Sequence, residues 1–236
     1  MFKTKIQKIV CLICTLLCFM CLTACGENKN MAFSVDGILV EKEEWAYYVR
    51  DCFTSVEVEI ESKYGIDSSD EGFWHNSYPD VVPMDYLKDY VVHKIARAKV
   101  EQIVAKEQGI DSPMTWSEQH KAMESDNIAR QKKYEQGEIL YGKVQRDFHG
   151  FYTAMIYSMR QDSMKELVKA NIITVTESEL KQLYTLQDDS TDSYDDLRAT
   201  LEQQLIESKY EQFIDKRLSN ANIVYNDVSI KSSYLE

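Results

Sequence analysis

A chain of 236 residues with 44% hydrophobic and 28% charged side chains carries enough apolar material for a real core, and only 3 Pro and 8 Gly argue against a disordered or turn-dense β architecture. The formal net charge is −12, and with Lys3, Lys5 and Lys8 assigned to an N-terminal leader the remainder carries 24 basic against 39 acidic side chains. That balance opposes nucleic-acid binding, which relies on Lys and Arg to neutralise phosphates, and it leaves membrane attachment to something other than overall charge.

Residues 1–8 supply a positive start, and Ile9 to Leu22 is a continuous apolar stretch too short to span a bilayer comfortably. Residues 1–24 therefore read as a signal peptide. It closes on Leu22-Thr23-Ala24-Cys25, which resembles the bacterial lipobox: a branched apolar residue, two small residues and the cysteine that receives lipid. Two acyl chains on Cys25, palmitate among them, would give stable anchoring where one chain does not. The competing reading is an ordinary secretory leader ending near a cysteine. Residues 25–31 read as a tether, 32–236 as a single domain, and the expected address is the extracytoplasmic face of a bacterial cell membrane. Five of the six cysteines lie within the first 25 residues, so after cleavage Cys52 is the sole thiol of the folded part; it is expected to be buried and structural.

The domain opens with alternating apolar residues around Asp36-Gly37, the pattern of a short strand and a turn. Trp45, Tyr48, Val49, Cys52, Phe53, Val56 and Ile60 then recur at helical spacing, which predicts a helix over about 42–64 stopped by Gly65. Residues 66–82 show no period and read as a surface loop. Pro83 fits the first turn of a helix reaching about 108, with two apolar rows that imply burial between neighbours. Thr115-Trp116-Ser117-Glu118 is a capping box opening a helix to about 136 whose thin stripe, Trp116, Met123 and Tyr134, suggests that it projects from the body. A richer helix is predicted over 138–169, carrying Leu140, Val144, Phe148, Phe151, Tyr152, Met155, Ile156, Met159 and Leu167. Thr176 and Glu179 form a second capping box opening a short helix, and residues 187–193 form a polar linker. A last helix over about 194–220 precedes an extended end. The expected class is mainly α, with a small β element pairing residues 33–36 with 222–225.

Catalytic patterns are sparse. There is no nucleophile elbow, phosphate-binding loop or dinucleotide fingerprint, and the one C-x-x-C, Cys11 to Cys14, lies in the leader. His75, His93, His120 and His149 are widely spaced, Asp67, Asp70 and Glu71 match no EF-hand, and the acidic pairs Glu43-Glu44, Asp188-Asp189 and Asp195-Asp196 read as solvated helix ends or loops. No catalytic residue, metal or cofactor is expected.

The two ends together carry a family resemblance. Phe33-Ser34-Val35-Asp36-Gly37 running into Glu44-Trp45 resembles the opening of the SurA/PrsA family of extracytoplasmic foldases. Ile172 to Tyr184 is similar to the segment that precedes the family's parvulin prolyl isomerase domain, and Leu197 to Tyr225 to the helix and strand that follow it. Glu41 departs from the family's Ser or Thr at the helix cap. More important, only about Thr185 to Ser193 separates the two flanks, too little for a parvulin domain. The resemblance therefore implies a SurA-N-like chaperone body without the isomerase. Its partners would be unfolded or nascent exported proteins and, through the lipid anchor, the membrane, with a homodimer left open. Client-contact candidates are Trp116, Met123, Phe151, Tyr152, Met155 and Met159, with core packing as the competing role for the last four. Other classes implied are a prolyl isomerase by family name alone and an adaptor lipoprotein with one dedicated partner.

Overall fold

The computed structural model describes residues 30–186, 193–231 and 234. The leader, Cys25 and most of the tether lie outside the described residues, as does the linker at 187–192. The chain divides at Met31, and the unit Ala32–Glu236 carries everything below except the first residue of β1. The order is β1 (Met31–Val35), β2 (Ile38–Glu41), α1 (Lys42–Tyr64), α2 (Pro83–Glu107), α3 (Trp116–Glu135), α4 (Phe148–Lys169), α5 (Glu177–Thr185), α6 (Tyr194–Ser219) and β3 (Ile223–Tyr225). The protein is mainly α with a small antiparallel sheet of strand order β2-β1-β3.

The sheet closes the two ends of the domain on each other. Asp36 and Gly37 have φ of 48° and 82°, the pair of positive angles that a two-residue turn between right-twisted strands requires. β1 then pairs antiparallel with β3, Phe33 opposite Tyr225 and Val35 opposite Ile223. Asp36 locks the junction: its N–H donates to the Asn222 carbonyl at 2.9 Å, and its carboxylate accepts from the Asn222 N–H at 2.8 Å. The expected pairing of the two ends is present, and β2 adds a third strand to it.

α2 is the central helix, packed against α1, α4 and α6. Its two apolar rows explain this position, since Leu87, Val91, Ile95, Val92, Ala96 and Val100 are all buried. Trp45, Val49, Val56 and Ile60 of α1, Leu167 of α4, Tyr210 and Ile214 of α6 and the inner face of β1 complete one hydrophobic cluster. Cys52 is fully buried within it. Both predicted capping boxes are formed, Thr115 with Glu118 and Thr176 with Glu179. Glu41 stands at the N-cap of α1 with no side-chain cap hydrogen bond.

Two expectations are corrected. The helix read from 138 begins only at Phe148, because Asp147 caps it, accepting from the Gly150 N–H at 2.8 Å. The residues before it run beside α3 instead: Gly137 and Gly142 take positive φ, Arg130 donates to the carbonyls of Tyr141 and Lys143, and Asn127 exchanges two hydrogen bonds with the Arg146 backbone. Long-range side chains thus take the carbonyls that a helix would have used. The loop before α2 is not all surface either. Phe73 is buried in the main cluster, and Trp74 stacks on Phe53 at 4.2 Å.

Beyond β3 the chain crosses the start of α1. Lys42 pairs with Asp227 at 2.7 Å, and Trp45 donates its indole N–H to the Ser229 carbonyl at 3.2 Å. The Lys42 hydrogen bond, with help from Ser229, holds the Asp227 carboxyl well below its ordinary value. As pH falls the unfolded chain therefore takes up this proton first. The stability contributed is complete above about pH 4 and is lost as pH drops through the folded value. Because both side chains are partly exposed, Asp227→Asn should cost less than about 1 kcal/mol at neutral pH and flatten the acid limb of a urea-midpoint profile. An unchanged acid limb would show that the pair contributes nothing.

Candidate functional site

Helical spacing splits α4 into two working faces. His149, Tyr152, Thr153, Ile156, Tyr157 and Arg160 line a cleft of about 410 Å³ whose other walls are Tyr47, Tyr48 and Asp51 of α1 and Lys94, Arg97, Ala98 and Glu101 of α2. Phe151, Ala154, Met155, Ser158, Met159 and Asp162 turn instead toward a cavity of about 310 Å³ that also meets Asp111, Asp126 and Arg146. A larger hollow, about 750 Å³, lies along the loop between α2 and α3.

The first cleft is walled by rings. Tyr47 meets Tyr48 at 5.6 Å, Trp116 at 5.3 Å and Phe148 at 5.1 Å between centroids. Phe148 stacks on His120 at 4.4 Å and on Tyr152 at 5.6 Å, so one aromatic array joins α1, α3 and α4. Such contacts stabilise by about 0.5–1.5 kcal/mol per pair beyond the area they bury. His120 Nδ1 lies 3.0 Å from the Trp116 carbonyl, which can only accept, so the proton is on Nδ1. Tyr48 donates to the Tyr152 hydroxyl at 2.6 Å. Burial, and after it the neighbouring Asp51, raises the Tyr47 phenol to about 12, and burial raises Tyr48 and Tyr152 as well. All three stay protonated at physiological pH. They offer ring faces and hydroxyls rather than phenolates.

Charge beneath the rings is paired. Lys94 reaches Asp51 at 3.0 Å and lies 3.4 Å from Cys52 Sγ. Burial works against the Lys94 charge, but the interactions with Asp51 and Cys52 together outweigh it; burial in turn pushes the Cys52 thiol up. Glu101, 1% exposed, is held by Arg160 through two hydrogen bonds of 2.8 and 2.5 Å, and Arg97 bridges Glu101, Glu211 and Asp215. Deeper still, Lys99 and Glu44 form a buried pair at 2.7 Å, with Lys99 also donating to the Met114 carbonyl at 2.6 Å. The floor of the cleft is therefore tied across α1, α2, α4 and α6.

No protein-family model, curated protein or solved structure matches this chain.

The six sequence candidates do not form one surface. Trp116 and Tyr152 belong to the aromatic array. Phe151, Met155 and Met159 meet in the second cavity, where Phe151 and Met159 are buried and Met155 is half-buried. Met123 is half-buried on α3 and lines neither. Tyr47, Lys94, Arg97, Glu101, His149, Tyr157 and Arg160 were not singled out from the sequence. For the buried polar groups beneath them a signal existed: Lys99 and Gln102 stand where the apolar phase of α2 calls for a core residue, and Glu44 adjoins Trp45 at the buried start of α1. Among the described residues no group of His, Cys, Asp or Glu is arranged to hold a metal ion. No described helix is long and apolar enough to cross a membrane.

Proposed function

We propose that this chain is a lipid-anchored extracytoplasmic protein that binds unfolded or partly folded exported proteins as a chaperone, without catalysis. The observation that carries the reading is the cleft among α1, α2 and α4. It offers neutral tyrosine hydroxyls, ring faces and the Ile156 side chain on helices cross-tied by buried ion pairs. A rigid wall of this kind can take an extended apolar peptide at low ordering cost, while its paired charges keep the cleft wet when empty. The leader ending at Cys25 supports the location, and the resemblance of both ends to the SurA/PrsA flanks supports the class.

The purified protein should slow aggregation of a chemically denatured protein at severalfold excess, read by light scattering. Tyr157, 66% exposed, can be changed with little cost to the fold. Tyr157→Ser combined with Ile156→Ser should weaken protection by about tenfold, the loss of roughly 1.4 kcal/mol of contact. Absence of protection by the unmodified protein would sink the reading. Capture of one dominant partner from extract would turn it toward an adaptor, and turnover of a proline peptide above background toward an isomerase.

A further inference from the structure

At the C-terminal end of α3 the chain reverses its charge. Residues 128–146 hold five basic side chains, Arg130, Lys132, Lys133, Lys143 and Arg146, against two acidic ones, Glu135 and Glu138, in a protein that is acidic as a whole. The same stretch carries the two most exposed large apolar groups among the described residues, Ile139 and Tyr141 at 86%, together with Ile128 at 72% and Tyr134 at 61%. The turn is held in place, since the Glu138 N–H donates to the Lys133 carbonyl at 3.0 Å and Arg130 grips the Tyr141 carbonyl at 2.7 Å. Arg130 is spent on that grip. Lys132 and Lys133 are exposed and enter no ion pair among the described residues.

We propose that this tip docks on an anionic lipid surface. A protein partner would need these side chains to enter a matching hollow, whereas residues this exposed on a tight turn stand out from the body. Tyrosine and isoleucine at a protruding turn, with lysines at its base, match what a headgroup layer accepts: the rings and branched chain enter the interface, the ammonium groups stay at the phosphates. Each Lys near an anionic surface contributes on the order of a tenfold gain in affinity at most, and the effect fades within a Debye length. The surrounding acidic body cannot supply this attraction, so it is local to the tip. The inference takes its biological setting from the membrane-anchored reading above, on which it rests.

The test uses the chain from Gly26 onward, which keeps the whole unit Ala32–Glu236 and lacks Cys25. It should sediment with vesicles containing phosphatidylglycerol at low ionic strength, and much less with phosphatidylcholine alone or at high salt. Lys132→Glu with Lys133→Glu, and separately Ile139→Ser with Tyr141→Ser, should each lower vesicle binding by about tenfold or more. Lys165→Glu with Lys169→Glu, equally exposed on α4, should leave it unchanged. Far-UV circular dichroism confirms that each variant is folded. Equal sedimentation of tip variants and parent, or no preference for anionic vesicles, overturns the proposal. So does self-association abolished by the same substitutions without vesicle binding, which would assign the tip to a second copy. Because Cys25 is absent from the assay, failure of lipidation, read by palmitate incorporation into the full chain, is a separate result.

Discussion

Replacing Lys99 by Met should destabilise the fold by about 3–5 kcal/mol, the cost of leaving a buried charge without its partner. Lys99 and Glu44 are both almost wholly buried, and the second carboxylate oxygen of Glu44 has no hydrogen-bond partner, so Lys99 is the main compensation for that charge. Glu44→Leu with Lys99→Met should recover at least half of the loss, since two apolar chains need no compensation; the residual deficit is the Met114 carbonyl left without its donor. The pH dependence carries a distinct sign. Burial pushes the Glu44 carboxyl above its ordinary 4.5 against the pull of Lys99, so the folded state takes up this proton before the unfolded chain does. What Glu44 contributes is full below that ordinary value and is lost as pH rises through the folded one. Without Lys99 the folded value climbs further. The deficit of the Lys99→Met variant should therefore shrink as pH is lowered from neutrality toward about 5. Urea midpoints for parent, both single variants and the double variant give the coupling directly, and a single-variant deficit that stays constant with pH would show that Glu44 is already neutral.

Cys25→Ala should move the protein from the membrane fraction to the soluble one almost completely. At about 0.8 kcal/mol per buried CH2, two acyl chains exceed by far what any exposed patch of this chain supplies, so the tip at the end of α3 cannot replace them. Metabolic labelling should place palmitate on the parent and none on the variant, with the leader of the variant cut at another site. If the parent itself carries no label, the leader is an ordinary secretory one and the chaperone reading loses its tether. The aggregation assay does not depend on the anchor, so the two outcomes separate cleanly.

Much of the fold was legible because the signals were local. The Asp36-Gly37 turn, the two capping boxes, Pro83 at the start of α2 and Gly65 after α1 are each decided within a few residues, and the structure has them where their chemistry requires. The candidate site was less legible. Its walls come from residues about 50 and 100 positions apart, and the stripe on α4 gave no means of telling which half of its apolar residues would face a cleft and which a cavity. Phe151 and Tyr152 are neighbours in sequence yet serve different hollows, since one residue turns a helix by about 100°.

By itself the sequence determined the mainly helical class and the boundaries of most helices, because periodicity, caps and turn residues act over short range, and a strand at each end suggested the pairing that the sheet contains. Only the tertiary structure decided that residues 138–147 abandon a helical pattern, since the competing hydrogen bonds come from Asn127 and Arg130 on another element. It also decided that Glu44, Lys99 and Glu101 belong to the interior. A charge can be buried only where its partner arrives, and that arrival is a property of the packing of α1, α2 and α4 rather than of any one of them.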